Sequence, residues 1–288
     1  MIQFVNAKLN IGLSITGRRP DGYHDLETLF YPVGIHNGEP ANPSPFCDIL
    51  EIDFLPEPET DRFEFRGRPI DCPLDRNLVV RAVRLFREEF ERKEGKTLPG
   101  VYLILEKHLP DGAGLGGGSA DASFTLRLLN ELGGSPFSRD ELAEMALRLG
   151  ADCPFFIFNE PSFGSGIGER LEHVAVDLEG WWCLIVKPTV YVSTKEAFSG
   201  VCPRPASCDL RCPGSPESWK GVVHNDFEDS IFPLHPELGK IKEELYASGA
   251  VYASMSGSGS SLYGLYPSKE SAVEAAERFD CETFVCLL

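Results

Sequence analysis

The sequence of 288 residues has no apolar run of the length that a membrane span needs, about 18 residues or more. Its first residues, MIQFVNAKLNIGLSITG, lack the positively charged stretch, long apolar run and small-residue cleavage site of a secretory signal. Positive charge is also scarce, because 27 Lys and Arg face 44 Asp and Glu, for a formal net charge of −17. We therefore expect a cytoplasmic protein that binds neither membranes nor nucleic acid, since its overall field repels polyanions.

The cysteines lack a regular spacing. There are nine, an odd number, and no CxxC pair occurs, so neither a disulfide framework nor a four-ligand zinc site is indicated. Cys202, Cys208 and Cys212 form the one cluster, and we expect free thiols there. The loop 199–218 that holds them and the segment ANPSPF at 41–46 match no motif.

Strand-like and helix-like segments alternate along the chain. Hydrophobic residues make up 42% and charged residues 25%, as in ordinary globular proteins, and the length suits two domains. Short apolar runs predict strands at 9–15, 28–35, 49–54, 101–105, 182–187, 251–254, 261–266 and 282–287. Three- and four-residue periodicity predicts helices at 78–95, from the glycine stretch to Gly133-Gly134, from 138 to 149, around 238–245 and at 268–279. The pattern predicts an α+β chain with a boundary shortly after residue 155.

The stretch LPDGAGLGGGSADAS at residues 109–123 contains five glycines. Each glycine costs about 0.5 to 1 kcal/mol relative to alanine within regular structure, so such a cluster indicates positive φ angles or a ligand close to the backbone. A glycine loop that leads into a helix offers unpaired N–H groups and the positive end of the helix dipole. The stretch therefore predicts a phosphate site, with a structural turn as the simpler alternative.

Familiar phosphate-binding patterns do not fit this stretch. The Walker pattern fails because no lysine follows the glycines, and the chain has neither an HRD nor a DFG segment of protein kinases. The dinucleotide pattern GxGxxG can be placed on Gly112, Gly114 and Gly117. The acidic residue expected about 20 positions later is then offered only by Glu131, inside a predicted helix, so this match is weak.

The stretch instead resembles the phosphate loop of the GHMP kinases, Pro-xxx-Gly-Leu-Gly followed by Ser and Ala, which here runs from Pro110 to Ala120. Three other segments resemble motifs of the same superfamily in the right order: NAKLNIGLSITGRRPDGYHDLETLF at 6–30, GADCPFF at 150–156 and SMSGSGSS at 254–261. NAKLN joined to RRPDGYH, GLGGGSA and GADCPFF are typical of one branch. Its members phosphorylate the 2-hydroxyl of a cytidine diphosphate of methylerythritol in the non-mevalonate isoprenoid pathway.

This resemblance implies a two-domain α+β fold. Residues 1–155 would form an ATP-binding, catalytic domain similar to the second domain of ribosomal protein S5. Residues 156–288 would form a ferredoxin-like, substrate-binding domain. The substrates implied are ATP with Mg²⁺ and a cytidine diphosphate sugar alcohol, bound by a monomer or homodimer.

Two charged residues stand out before the family is considered. Lys8 lies in an apolar strand between Asn6 and Asn10, where a lysine needs a partner. Asp152 is expected at the end of a helix, where the dipole disfavours a carboxylate. Solvated or salt-bridged residues would explain both. The resemblance implies instead that Asp152 accepts the proton of the substrate hydroxyl, that Lys8 orients Asp152 and stabilises the γ-phosphate, and that Asn10 positions the hydroxyl.

The resemblance also implies the nucleotide contacts. The glycine loop would hold the β- and γ-phosphates, Lys107 would reach a phosphate or the ribose, and Ser119 would bind a phosphate or Mg²⁺. Asn77 and Leu78 would border the adenine, or only begin a helix. The full set of implied ATP contacts is Pro110, Gly112, Gly114, Leu115, Gly116, Gly117, Gly118, Ser119, Lys107, Asn77 and Leu78. Asp121 adds a negative charge close to these contacts, unfavourable beside a phosphate unless it points away or helps hold Mg²⁺.

The second substrate would be recognised by aromatic and glycine residues. The resemblance implies that Tyr23 and His24 bind the cytosine, with Phe198 as the opposing ring and Ile167 as an apolar contact. Gly257 and Gly259 would line the methylerythritol diphosphate end of the cleft. Two alternatives stay open: a GHMP kinase for another small alcohol, such as homoserine or a mevalonate derivative, and a catalytically silent nucleotide-binding regulator. The presence of both Lys8 and Asp152 argues against the regulator.

Overall fold

The computed structural model of the protein describes residues 1–36, 39–40, 46–56 and 59–288. The chain divides into two compact units, of which the first comprises Met1–Ala7, Cys47–Asp111 and Gly116–Glu160. The second comprises Lys8–Phe46, Gly112–Leu115 and Pro161–Leu288. These units differ from the contiguous segments 1–155 and 156–288, because residues 8–46 and 112–115 group with the C-terminal part of the chain. Of the unmatched segment 41–46, residues 41–45 lie outside the described ranges.

The elements alternate along the chain, as the sequence pattern predicts. The strands are β1 (Ile2–Arg18), β2 (His24–Val33), β3 (Ile35–His36), β4 (Glu39–Pro40), β5 (Cys47–Phe54), β6 (Arg62–Gly67), β7 (Val101–Lys107), β8 (Ser162–Ser165), β9 (Arg170–His173), β10 (Trp182–Lys187), β11 (Tyr252–Met255), β12 (Leu262–Tyr266) and β13 (Glu282–Leu287). The helices are α1 (Leu78–Glu94), α2 (Gly117–Leu132), α3 (Arg139–Leu147), α4 (Cys153–Phe158), α5 (Thr194–Ser199), α6 (Asp226–Ile231), α7 (Pro236–Ala247) and α8 (Lys269–Ala276). Each predicted strand and helix has a counterpart here, whereas β3, β4, β6, β8, β9, α4, α5 and α6 were not predicted as separate elements.

In the first unit, four strands form a sheet in the order β6-β7-β5-β1. Strand β5 pairs antiparallel with the first residues of β1 and with β7, and β6 pairs parallel with β7. Helix α2 packs on β5 and on α1. Alternate residues of β7 are buried, beginning at Val101 and ending at Lys107, so the strand's period of two carries a lysine into the interior.

Helix ends in this unit follow local capping rules. Helix α1 begins after Asn77, whose side chain accepts the N–H of Val79 at 2.9 Å, and it ends at Gly95 with φ +65°. Helix α3 begins with a capping box, in which Ser138 and Glu141 exchange hydrogen bonds.

The second unit contains a second sheet, antiparallel throughout, in the order β11-β12-β10-β13. Helices α7 and α8 pack on this sheet, and their apolar residues Leu238, Leu245 and Ala272 join its core. The C-terminal part of β1, which begins at Lys8, belongs to the same unit together with β2, β8 and β9. No helix within the described ranges is long and apolar enough to cross a membrane.

Candidate active site

The first glycine loop has the backbone that the sequence predicts. Gly112, Gly114 and Gly116 have φ angles of +61°, +75° and +74°, which L-residues rarely adopt. At Gly114 a side chain is excluded twice, because an added Cβ would also overlap the carbonyl oxygen of Ser256. Gly116 is the N-cap of α2, so the first N–H groups of that 16-residue helix follow the loop directly. Such groups lack intrahelical acceptors and suit a phosphate.

Ser119, in the first turn of α2, lies beside the GADC segment. A Cβ added to Gly150 would lie 4.0 Å from Ser119 Oγ and 3.3 Å from Cys153 Sγ. Ser123, one turn further along, donates to the carbonyl of Cys153 at 2.8 Å. Burial raises the Cys153 pKa to about 11. The fold of the first unit thus brings the start of α2 and the segment that carries Asp152 together.

The sequence predicted Asp152 at the end of a helix, and this prediction was wrong. Asp152 stands at the start of a helix. Helix α3 ends at Leu147, and α4 begins at Cys153 with Asp152 as its N-cap residue. The half-buried carboxylate makes no side-chain capping bond to this helix. At a helix N-terminus the dipole favours a negative charge, the opposite of its effect at a helix end.

Lys8 and Asn10 are buried neighbours on one face of β1, in the second unit. The ammonium of Lys8 donates to Asn10 Oδ1, and the Asn10 amide donates to Thr28 Oγ1 at 3.0 Å. Lys8 Nζ also lies 5.4 Å from the centre of the Phe30 ring. The backbone N–H of Lys8 donates to the carbonyl of Leu115 at 2.9 Å, which ties β1 to the first glycine loop. The Lys8 side chain is only 3% exposed, and a buried lysine needs polar partners such as Asn10.

Lys107 is buried among carboxylates. Its Nζ lies 2.5 Å from Asp48 Oδ2 and 2.9 Å from Asp121 Oδ2, with Asp111 at 3.8 Å. Asp48 also accepts the N–H groups of His108 at 2.6 Å and Leu109 at 2.8 Å through its other oxygen. A Cβ added to Gly117 would lie 3.3 Å from Lys107 Nζ, so this cluster sits against the start of α2. Direct contact of Lys107 with ATP stays a prediction.

Asp121 is the member of this buried cluster that has fewer hydrogen-bond partners than Asp48. Its Oδ1 is buried and has no hydrogen-bond partner among the described residues. Burial raises the pKa of Asp121, the charge of Lys107 lowers it and that of Asp48 raises it, with a net increase. Burial lowers the pKa of Lys107, but Asp121, Asp48 and Asp111 together raise it above its ordinary value. The Asp121 side chain points into the interior, which is the first of the orientations that the sequence left open.

The residues expected to bind cytosine divide into a stacked pair and an exposed ring. His24 stacks on Phe198 with ring centres 4.8 Å apart and planes 20° apart, and Phe198 packs edge-on against Phe227. Tyr23 is 61% exposed. Ile167 follows Gly166, whose carbonyl accepts the N–H of Leu26 on the strand that His24 begins. The second unit therefore places His24, Phe198 and the turn of Ile167 on neighbouring elements.

The second glycine loop, residues 254–261, lies against Asn10 and the first glycine loop. Gly257 and Gly259 have φ angles of +54° and +85°, and a Cβ added to Gly257 would lie 3.0 Å from Asn10 Oδ1. Sequence reasoning missed the side chains that hold this loop, of which Asn225 is one. The signal was the run HNDFE at 224–228, four polar residues around one Phe at a helix start, which passed unnoticed beside a Pro- and Cys-rich loop.

A cavity of about 230 Å³ lies in the first unit next to Asn77. Its lining consists of Phe65, Arg66, Gly67, Arg68, Pro69, Ile70, Cys72, Leu74 and Asn77. Asn77 is a helix cap, as the simpler reading held, and it also borders this cavity.

One group in the described part of the chain has the spacing of metal ligands: His224, Asp226 and Asp229. The guanidinium of Arg204 already bonds both carboxylates, at 2.5 Å to Asp226 and 2.8 Å to Asp229. A cation would have to displace this arginine. Cys202, Cys208 and Cys212 are free thiols.

Comparison with known proteins agrees with the motifs. Residues 77–160 match the model of the GHMP kinases N terminal domain, and residues 214–286 match that of the GHMP kinases C terminal. The chain is 47% identical to a 4-diphosphocytidyl-2-C-methyl-D-erythritol kinase of Bacteroides thetaiotaomicron, over 92% of each chain. It is 45% identical to the kinase of the same name from Bacteroides fragilis, over 99% of this chain and 98% of the relative.

A solved structure extends the agreement to the fold. The crystal structure of a 4-(cytidine 5'-diphospho)-2C-methyl-D-erythritol kinase superposes with a TM-score of 0.77 at 31% identity, covering 99% of this chain and 98% of the other. The predicted two-domain α+β GHMP kinase fold is confirmed. The chain belongs to the 4-diphosphocytidyl-2-C-methyl-D-erythritol kinases, a family of GHMP kinases.

Proposed function

We propose that this protein transfers the γ-phosphate of ATP to the 2-hydroxyl of 4-diphosphocytidyl-2-C-methyl-D-erythritol, with Asp152 as the base. The relatives' names supply the substrate, and the residues of this chain supply the chemistry. Phosphoryl transfer needs a positioned hydroxyl, an acceptor for its proton and neutralisation of charge on the moving phosphoryl group. Each of these needs has a candidate in the two units.

Asp152 accepts the proton of the hydroxyl. Its carboxylate stands at the N-terminus of α4, where the dipole favours a negative charge. Lys8 orients this carboxylate and stabilises charge on the γ-phosphate, and Asn10, which already binds the Lys8 ammonium, positions the hydroxyl. The placement of the segment that carries Asp152 beside the start of α2, through the bond from Ser123 to the Cys153 carbonyl and the approach of Gly150 to Ser119, is the observation that carries this assignment.

ATP lies with its phosphates on residues 112–119 and its adenine in the cavity that Asn77 borders, next to Leu78 in the chain. The N–H groups at the start of α2 donate to the phosphate oxygens. Mg²⁺ bound with the nucleotide neutralises phosphate charge, and Ser119 Oγ is an oxygen donor of the kind this hard cation prefers. Lys107 supports the start of α2 through Asp121 while both carboxylates hold its ammonium.

The cytidine end of the second substrate binds at His24, Tyr23 and Phe198. The stacked His24 and Phe198 rings offer a flat apolar face and ring nitrogens to a base, and the exposed Tyr23 ring can close on it. A kinase for homoserine or mevalonate needs no such aromatic group, which favours the cytidylyl substrate. Ile167, Gly257 and Gly259 complete this half of the site.

The test measures turnover with ATP and three acceptors: the cytidylyl compound, homoserine and mevalonate. We expect turnover with the first alone. Asp152→Asn and Lys8→Ala should each lower kcat about 10² to 10⁴-fold, as loss of a proton-transfer group does, with KM for ATP within a few-fold of wild type. The control Asp140→Asn makes the same change at the exposed start of α3 and should leave both constants unchanged.

Three results would contradict the proposal. Turnover close to wild type in Asp152→Asn would remove the base. Activity with homoserine or mevalonate and none with the cytidylyl compound would replace the substrate. ATP binding without turnover on any acceptor would favour a silent regulator.

A further inference from the structure

Two buried polar side chains at the start of α6 hold the second glycine loop. Asn225 Nδ2 donates to the carbonyls of Met255 at 2.7 Å and Gly257 at 2.9 Å. Glu228 Oε1 accepts the N–H of Met255 at 2.8 Å and the hydroxyl of Ser254 at 2.9 Å. Both side chains are almost fully buried. Carbonyl and N–H groups of the loop are therefore satisfied by side chains of a neighbouring helix.

Each side chain is itself held in place. Asn225 Oδ1 accepts the N–H of Phe227 at 3.0 Å, which makes Asn225 the N-cap of α6. The other carboxylate oxygen of Glu228 accepts from the ammonium of Lys242. The helix, its cap and the loop thus share one hydrogen-bond network, in which a buried group left without a partner is costly.

Ser256 extends the network to the residues proposed to bind the substrates. Its Oγ accepts the backbone N–H of Asn10 at 3.2 Å and donates to the carbonyl of Gly114 at 2.8 Å. Tyr263 donates to the carbonyl of Asn10 at 3.0 Å, so both backbone groups of Asn10 are fixed by side chains. One hydroxyl joins the second glycine loop to β1 and to the first glycine loop.

We propose that Asn225, Glu228 and Ser256 are positioning residues: they set the second glycine loop against Asn10 and Gly114, and so fix the geometry in which the hydroxyl meets the phosphate. This inference rests on the proposed function for Asn10, Gly114 and Gly257. These residues touch the loop backbone and act on the substrates through it. Misplacement of reacting groups by about 1 Å can cost about 10²-fold in rate, so kcat is the sensitive quantity.

The chain offers a matched control within the same loop. Ser261 is buried like Ser256, but its Oγ has no hydrogen-bond partner in the described part of the chain. Ser256→Ala and Ser261→Ala therefore each remove one buried hydroxyl from the same loop. Only the Ser256 hydroxyl is hydrogen-bonded to Asn10 and Gly114. We expect Ser256→Ala to lower kcat about tenfold and Ser261→Ala to change it less than twofold. Ser256→Ala should also lower Tm more than Ser261→Ala, because it leaves the Asn10 N–H and the Gly114 carbonyl without a partner.

Asn225→Asp tests the helix side of the network. Aspartate keeps the acceptor that caps α6, but it places an oxygen against the two loop carbonyls that Asn225 Nδ2 now satisfies. We expect kcat to fall about 10²-fold. The control Ser268→Ala removes the cap of α8, which bonds Ser271 N–H at 3.2 Å in the same unit, and should lower Tm without changing kcat.

A second readout does not depend on the substrate. Amide hydrogen exchange of residues 255–261 in the ligand-free protein should quicken about tenfold in Ser256→Ala and Asn225→Asp and stay unchanged in both controls. Wild-type inactivity on the cytidylyl compound would overturn the proposed function alone, since the exchange result still judges the positioning. Equal exchange rates and equal kcat in Ser256→Ala and Ser261→Ala would overturn the positioning role.

Discussion

The buried cluster of Asp48, Lys107 and Asp121 predicts that its two carboxyl groups respond very differently to the same substitution. Asp48 accepts three hydrogen bonds, from the Lys107 ammonium and from the N–H groups of His108 and Leu109. Asp121 accepts from Lys107, and its other oxygen has no partner among the described residues. One ammonium and two ionised carboxylates would leave a net negative charge in the interior, so Asp121 is the group that retains a proton.

Asp48→Asn turns an acceptor into a donor that faces either the ammonium or the two backbone N–H groups. Removing one partner of a buried ion pair in this way costs about 3 to 5 kcal/mol. Asp121→Asn keeps an oxygen for Lys107, and its amide nitrogen replaces the oxygen that has no partner. That change costs about 1 kcal/mol. The free energy of unfolding, measured by urea titration at pH 7, should separate the two variants by at least about 2 kcal/mol.

The pH dependence of the free energy of unfolding tests whether Asp121 is protonated in the folded protein. The pKa of Asp121 is raised in the folded protein, so its contribution to stability is full below the unfolded value, about 4, and is lost as pH rises through the folded value. Asp121→Asn lacks this loss, so between pH 5 and 8 its stability relative to wild type should improve, by up to about 1.4 kcal/mol per pH unit.

Asp111→Asn is the control, because Asp111 faces the same ammonium at 3.8 Å but is half exposed. It should cost less than about 0.5 kcal/mol at every pH. Equal costs for Asp48→Asn and Asp121→Asn, with no change in their difference between pH 5 and 8, would refute the protonated Asp121.

Two further predictions concern the glycine loop and the thiols. Gly114→Ala places a Cβ against the Ser256 carbonyl at φ +75° and should lower Tm markedly and abolish ATP binding. Gly22→Ala, at φ +89° with nothing within 4 Å of its Cβ, should cost only about 1 kcal/mol in thermal unfolding; equal losses would show that strain alone decides both. At pH 8, iodoacetamide should modify the exposed Cys72 and spare Cys153, whose pKa burial raises to about 11, as mass spectrometry of the peptides would show. Modification of both at similar rates would contradict the burial of Cys153.

The sequence predicted the periodic elements well because their pattern follows from burial. Strand β7 shows this, since every second residue from Val101 is buried and the run reads as a strand without further knowledge. Strand β6 was missed because its alternation places Phe63 and Phe65 between charged residues, and neither phenylalanine is fully buried. Helix α4 was missed because six residues are too few for helical periodicity to show, and the position of Asp152 was misread with it.

The candidate site also contains residues that the sequence predicts and residues that it does not. Glycines with positive φ can be recognised from sequence, since other residues do not tolerate that backbone, and Gly114 and Gly257 are where the loop motifs put them. Side chains that hold those loops cannot be recognised in this way. Asn225 lies 30 residues before Met255 and 32 before Gly257, and its donors meet only backbone carbonyls.

Backbone carbonyls carry no residue identity, so no pattern of residue types near the loops announces a partner such as Asn225. The same holds for Asp48, which caps the N–H groups of His108 and Leu109 from a strand 60 residues earlier. In both cases a polar side chain satisfies the irregular backbone that a phosphate-binding loop requires, where a regular helix or strand would satisfy its own. A loop of glycines exposes its N–H groups to a ligand only if the rest of its backbone is bound elsewhere. Buried Asn and Asp residues at helix starts and strand ends are therefore as necessary to these loops as the glycines. Substitution at Asn225 or Asp48 should disturb the loop backbone as much as substitution of a glycine does.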